Sequence, residues 1–143
     1  PEGDFVDKEG NYIGRHKGII HYTIGQRRGL GIPAASRLYV CEISPKTNTV
    51  VLGDNADLFS SELEADSVNL ISVDNLSEPK RVTAKIRYRH KEQPATAWQT
   101  PDGILHVKFD EPQRAITKGQ AVVMYDGDEV VGGGVINKIY SQS

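Results

Sequence analysis

The sequence predicts an all-β protein in two parts, on three observations. Apolar and polar residues alternate with period two in short runs, most plainly in "KRVTAKIRYRH" and "GILHVKFD". In the second half, turn residues separate such runs at intervals of roughly eight to twelve positions, the spacing of a small barrel. Helix signals are weak throughout. At 143 residues the chain suits one compact domain or two small ones.

The elements follow in order. The first ten residues are acidic and lack the cationic start and apolar middle of a secretory signal. There is no initiator Met, so the chain reads as a fragment. Residues 23–33, "TIGQRRGLGIP", gather three glycines and two adjacent arginines. Glycines allow main-chain N–H groups to approach an anion. A Walker loop, however, needs two glycines five apart followed by Lys and Ser or Thr, and a dinucleotide loop needs glycines two and three apart. Neither spacing is present, and a tight irregular connection is the simpler reading. "RLYVCEISPKTNTVVLG" predicts a hairpin, with strands at 38–43 and 49–52 around turn chemistry at 45–48. Cys41 falls mid-strand. Residues 57–66 offer a helical turn or two, with Ser60 or Ser61 as N-cap. A boundary is expected near 58–62, separating a β-rich domain over 1–60 from a barrel over 61–143.

In the second part, alternation in "KRVTAKIRYRH" assigns Val82, Ala84, Ile86 and Tyr88 to the core face. Arg81, Thr83, Lys85, Arg87 and Arg89 fall on the other. "GILHVKFD" turns Leu105, Val107 and Phe109 inward. "QAVVMYDGDEVVGGGVI" predicts two strands joined around Asp126-Gly127, a strong hairpin signal.

Composition bounds the function. A hydrophobic content of 38% and a charged content of 25% are those of an ordinary soluble protein, and no apolar run is long enough to cross a bilayer. The single cysteine, Cys41, allows no internal disulfide and fits a reducing, cytoplasmic setting. The net charge of −2 conceals segregation. Residues 10–41 hold five basic residues and no acid, 42–78 hold eight acids and Lys46, and 80–91 hold six basic residues and no acid. Six such cations repel one another unless an anion neutralises them, so they look arranged for a polyanion. Tyr88 and His90 add the planar surfaces that unpaired RNA bases use. The alternative is an edge strand charged against aggregation.

Other candidates are weaker. Cys41 with His16, His21, His90 or His106 could suggest a thiol nucleophile, but a strand flanked by Tyr39, Val40 and Ile43 offers packing rather than an electropositive opening. The four histidines show no metal-ligand spacing, so no metal is expected. Asp110 and Glu111 are adjacent and precede Pro112, which reads as a turn rather than an acid–base pair.

Taken together, "GNYIGRHKGIIHYTIGQRRGLGIP", "AKIRYRHKEQPATA", "FDEPQRAITKGQAVVMYDGD" and "VVGGGVI" resemble, in order, the carboxy-terminal part of the bacterial tRNA-specific 2-thiouridylases, over about residues 3–136. That family installs sulfur at position 2 of the wobble uridine of certain tRNAs. The resemblance implies a small β-rich central domain followed by a six-stranded antiparallel β-barrel similar to domain 2 of elongation factors. It places ATP, magnesium and both catalytic cysteines in an amino-terminal ATP-pyrophosphatase domain outside this chain, so no catalytic residue and no cofactor are expected here. The chain starts at the "GDFVD" segment that follows the persulfide loop. The implied partners are tRNA and, for the whole enzyme, a persulfide sulfur donor or carrier protein, with no membrane and a monomeric state.

By motif, Arg87 and Tyr88 match a tRNA-contacting pair and Gln120, in "TKGQ", matches another contact; Arg27, Arg28, Lys85 and Arg89 are further candidates. In the family the run around Arg27 and Arg28 belongs to the central domain, close to the persulfide loop. Arg28 stands where Lys is common, which keeps charge and changes geometry. Lys118 replaces a common Pro before Gly119, loosening a turn. Strand alternation sets Arg87 and Tyr88 on opposite faces, so both can reach RNA only if the strand ends or bulges there. Two rival readings are a thiol enzyme centred on Cys41 and a translation-factor-like protein-interaction barrel without RNA function.

Overall fold

A computed structural model describes residues 1–35 and 37–141. The chain forms two compact units, Pro1–Phe59 and Ser60–Ser143, and the described residues include strands and short 3-10 turns but no α-helix. Among the described residues no helix is long and apolar enough to cross a membrane.

The first unit is a four-stranded sheet of β1 (Gly3–Val6), β2 (Tyr12–His16), β3 (Tyr39–Ser44) and β4 (Thr49–Gly53) in the order β2-β1-β4-β3. β1 runs parallel to β4, and the other pairs are antiparallel. Phe5 lies opposite Val50, and both are fully buried. Around Phe5 the rings of His16 and Tyr22 meet edge to face, with centroids 5.2 to 5.7 Å apart. The Gly18 N–H donates to His16 Nδ1, which leaves Nε2 to donate to the Asn48 carbonyl 2.8 Å away. This buried histidine is a packed structural group. Gly3 is required beside it, since a Cβ there would lie 2.5 Å from His16 Nε2 and 2.1 Å from the Asn48 carbonyl oxygen.

The β3–β4 hairpin forms where its turn chemistry predicts, with Asn48 in the left-handed region at φ 53°. Cys41 departs from expectation. The register slips between Val40 and Glu42, and this bulge leaves Cys41 half-buried instead of packed inside, with Sγ 3.4 Å from the Tyr39 carbonyl oxygen.

The second unit comprises β5 (Phe59–Leu70), β6 (Lys80–Lys85), β7 (Gln93–Gln99), β8 (Leu105–Arg114), β9 (Ala121–Asp126) and β10 (Glu129–Ile139). They close into an antiparallel barrel in the order β10-β5-β8-β7-β6-β9. Inward positions pair small residues with large ones across strands: Ala95 faces Phe109, Ala97 faces Val107 and Ala84 faces Met124, all at most 2% exposed. Such alternation fills a narrow barrel without voids. Leu105, Val107 and Phe109 point inward as the period-two pattern predicts. The β9–β10 hairpin also forms, around Gly127 and Asp128, with Gly127 alone at positive φ, 62°. Glycine at the first of two central positions is the demand of a type II′ turn.

Three expectations are corrected. The segment 57–66 is not helical: Asn55–Leu58 is a 3-10 turn and β5 follows it directly. Pairing overrides the helix propensity of its Glu, Leu and Ala residues, because Leu63 and Ala65 face Ile139 and Ile136 across the β5–β10 ladder. The buried Ser60 hydroxyl donates to the Tyr140 carbonyl and caps no helix. Asp110 and Glu111 do not form a turn either. β8 continues through Pro112 to Arg114, beyond the last β7 partner at Phe109, where the missing N–H of proline costs no bond to β7. Finally, the core-face pattern of the basic strand stops at its end, since β6 terminates at Lys85 and Tyr88 is 92% exposed.

The three consecutive glycines of β10 close the barrel. A Cβ at Gly132, Gly133 or Gly134 would lie 2.4, 2.2 or 2.6 Å from the carbonyl oxygen of Asn69, Val122 or Asp66 respectively. The flanking strands approach so closely that no side chain fits.

Candidate nucleic-acid interface

Strand register collects most of the sequence candidates. Lys85, the last residue of β6, pairs with Val123 near the start of β9, and its neighbour Ala84 pairs with Gln93 at the start of β7. Loop 86–92 and segment 115–120 therefore open on the same rim. Lys85, Arg87, Tyr88, Arg89 and Gln120 all belong to this rim. Because β6 has ended, Arg87 and Tyr88 are not tied to opposite faces of a strand. Arg27 and Arg28 belong to the first unit.

The charges of the basic run are less free than their linear order suggests. Lys80 Nζ pairs with Asp126 at 3.0 Å. Arg81 forks onto both carboxylate oxygens of Asp110, each at 2.7 Å, and donates to Thr96 Oγ1 at 3.0 Å. The hydrogen bond from Arg81 holds the Asp110 carboxyl below its usual range. Lys85 Nζ lies 5.8 Å from the centre of the Tyr125 ring. The picture of six unneutralised cations is thus corrected: cross-strand carboxylates, distant in sequence, neutralise the first two. Arg87 turns its Nη2 onto the carbonyl oxygens of Arg114 and Ala115. Burial, and then the neighbouring Arg114 charge, push its pKa below the usual arginine value.

Arg89, His90 and Lys91 are exposed, and among the described residues neither Arg89 nor Lys91 takes part in an ion pair. They border a concavity of about 280 Å³ whose remaining lining is Ala84, Ile86, Arg87, Gln93 and Gln113. The Gln113 amide donates to the Glu111 carbonyl at 2.9 Å and the Gln93 amide to the Lys91 carbonyl at 3.3 Å, which leaves both side-chain oxygens as acceptors. A mix of cations, amide acceptors and apolar floor can receive a phosphodiester together with a base. Lys91 belongs to the cationic run and was legible there. Gln93 and Gln113 carry no local signal, since only barrel register brings them to this rim.

In the first unit, the loop over 25–32 encloses an open cavity of about 380 Å³ lined by Arg27, Arg28, Gly29, Leu30, Gly31, Ile32 and Ala35. The loop is tied to β3 by the Gly25 N–H to Val40 carbonyl bond of 2.7 Å and the return bond from the Val40 N–H to the Gln26 carbonyl, 2.8 Å. The Arg27 guanidinium lies 5.9 Å from the centre of the Tyr39 ring. Gly29 and Gly31 adopt φ of 76° and 80°; a Cβ would meet only Gln26 Nε2 at 3.8 Å at the first and open space at the second, so conformation rather than crowding demands glycine. Among the described residues no three His, Cys, Asp or Glu side chains are placed to hold a metal ion.

Comparison with known proteins agrees with this architecture. Residues 60–136 match the family described as the aminomethyltransferase beta-barrel domain, and residues 1–54 match the tRNA methyl transferase PRC-barrel domain. The class is therefore that of the aminomethyltransferase beta-barrel domain, whose match spans more than half of the chain. The chain is 60% identical over 137 residues to the tRNA-specific 2-thiouridylase MnmA of Clostridioides difficile (strain 630). It is 57% identical over 134 residues to that of Acetivibrio thermocellus and 54% identical over 134 residues to that of Clostridium acetobutylicum. These matches cover 94 to 96% of this chain and 37 to 38% of the relatives, so the chain spans a little over a third of their length. The chain belongs to the tRNA-specific 2-thiouridylase family.

Proposed function

We propose that this chain is the tRNA-binding part of an ATP-dependent sulfurtransferase that 2-thiolates the wobble uridine of tRNA, and that the barrel rim around loop 86–92 grips the RNA. The observation that carries the reading is the convergence on one rim of Tyr88, Arg89, Lys91 and Gln120 beside an open concavity. Tyr88, 92% exposed, is a stacking platform for an unpaired base. Arg89 and Lys91 supply phosphate contacts, and Gln120 a donor and an acceptor for sugar or base. The names of the relatives support tRNA as the substrate class.

The 25–32 loop lacks phosphate-loop spacing, which supports a place for ATP outside this chain. On this reading ATP, magnesium and a persulfide donor act on other parts of a cytoplasmic, monomeric enzyme, and this chain binds and orients without catalysing. The test is the salt dependence of binding to an unmodified tRNA transcript. A log–log slope of about −0.7 to −0.9 per neutralised phosphate, summing to several units, is expected. Binding that is flat in salt would contradict the reading and favour a protein-interaction barrel.

A further inference from the structure

We propose that the 25–32 loop of the first unit is a second RNA subsite, which takes a single unpaired nucleotide with its phosphate on Arg27 and Arg28 and its base against an apolar floor. The inference rests on the tRNA-binding reading above and adds a site that the barrel rim does not contain.

The loop is built before any ligand arrives. Gln26 staples it from within: its side-chain oxygen accepts from the Thr23 N–H at 3.0 Å and its amide donates to the Arg28 carbonyl at 2.9 Å. Together with the bonds that tie Gly25 and Gln26 to Val40, this fixes the mouth of the cavity, so a ligand bears little of the cost of ordering it. Arg27 and Arg28 are exposed and line the cavity, and no acid lines it among the described residues. Neither takes part in an ion pair among the described residues, unlike Lys80 and Arg81 of the barrel. The Tyr39 ring holds Arg27 without neutralising its charge. The N–H groups from Arg27 to Ile32 also meet no internal acceptor among the described residues, so backbone donors accompany the two guanidinium groups. Leu30, Ile32 and Ala35 form the floor. A volume of about 380 Å³ lies near the lower end of the about 300–1,000 Å³ of small-ligand sites. This suits one nucleotide, whereas a duplex would offer phosphates alone and leave the floor empty. Without Walker spacing, the loop suits one phosphodiester rather than a triphosphate chain. A carboxylate of a partner protein would satisfy the arginines, but an apolar floor directly beside them favours a ligand that joins an anion to a flat apolar face.

The experiment has two arms, both on the full chain. In the first, isotope-labelled protein is titrated with uridine monophosphate, inorganic phosphate and hexaglutamate while the amide resonances of Gly29 and Gly31 are followed. The expected result is saturable shifts with the mononucleotide at lower concentration than with inorganic phosphate, lost in R27Q/R28Q. An equal response to inorganic phosphate would mean an anion site without a base pocket, a response to hexaglutamate alone would mean a protein contact, and either of these, or no response at all, overturns the proposal. In the second arm, the salt dependence of binding to an unmodified tRNA transcript is compared in wild type, R27Q/R28Q and K46Q, whose lysine is exposed and outside the cavity lining. The double variant should shallow the log–log slope by at least about 0.7, the value for one phosphate of a single strand, and K46Q should match wild type. A wild-type slope in R27Q/R28Q, or an equal loss in K46Q, overturns the proposal. If the wild-type chain binds no tRNA, the tRNA reading fails, and the mononucleotide arm alone decides the subsite.

Discussion

The glycines of β10 provide a quantitative test of barrel closure. Gly133→Ala inserts a Cβ 2.2 Å from the Val122 carbonyl oxygen, whereas real Cβ contacts essentially never fall below 3.0 Å; β9 and β10 must therefore part locally by at least the difference, 0.8 Å. Ladder hydrogen bonds near 2.9 Å lapse by about 3.6 Å, so a shift of this size breaks those flanking position 133. Each lost bond removes about 1 kcal/mol, an unmet buried carbonyl adds about 1–3 kcal/mol, and overpacking adds about 1–3 kcal/mol. With one ladder bond lost, the expected destabilisation is about 3–7 kcal/mol. For a unit of this size, about 4–8 °C per kcal/mol applies, and the midpoint should fall by at least about 12 °C. The single tryptophan, Trp98, is a local probe: it lies in β7 and stacks on His106 with ring centroids 5.2 Å apart, so its fluorescence reports unfolding of the barrel. Gly127→Ala is the control. That site is open and asks only that alanine hold a positive φ, at a cost of about 1–3 kcal/mol. A Gly133→Ala midpoint within about 3 °C of wild type, or no lower than that of Gly127→Ala, would refute the close-approach reasoning.

Two further outcomes follow from the side-chain contacts. The Asp110 carboxyl is held low chiefly by the hydrogen bond from Arg81, so it contributes stability above its unfolded value of about 3.9 and loses it as pH falls through the lower folded value. Denaturant midpoints read from Trp98 should therefore fall more steeply between pH 5 and pH 2 in wild type than in Asp110→Asn, and equal slopes would contradict the pairing. Cys41, half-buried at its bulge, should be alkylated by iodoacetamide at neutral pH more slowly than in the denatured chain. Faster reaction would instead reveal an activated thiol.

Much of the fold was legible because barrel strands that face a narrow core obey strict alternation. Leu105, Val107 and Phe109 show it, and both hairpins were announced by turn residues whose backbone demands are local. What failed was non-local. β5 reads as a helix start because its Glu, Leu and Ala residues favour one, and only the β10 ladder, more than sixty positions away in sequence, makes it a strand. Alternation carried past Lys85 placed Tyr88 in the core, since nothing in "IRYRH" marks the end of β6. The cationic run looked unneutralised because Asp110 and Asp126 lie on other strands. The candidate site shared this fate. Its cations were visible in the sequence, whereas the rim that gathers them, and the use of Arg87 on backbone carbonyls, arise from register.

The proposed role of Tyr88 as a stacking platform is tested most directly by one comparison: affinity for an unmodified tRNA transcript in wild type and Tyr88→Ala, with barrel stability followed through Trp98. Loss of one stacked base, about 1–3 kcal/mol, predicts binding weakened by about 5- to 150-fold with an unchanged unfolding midpoint. Equal affinity of the two proteins for tRNA would contradict it.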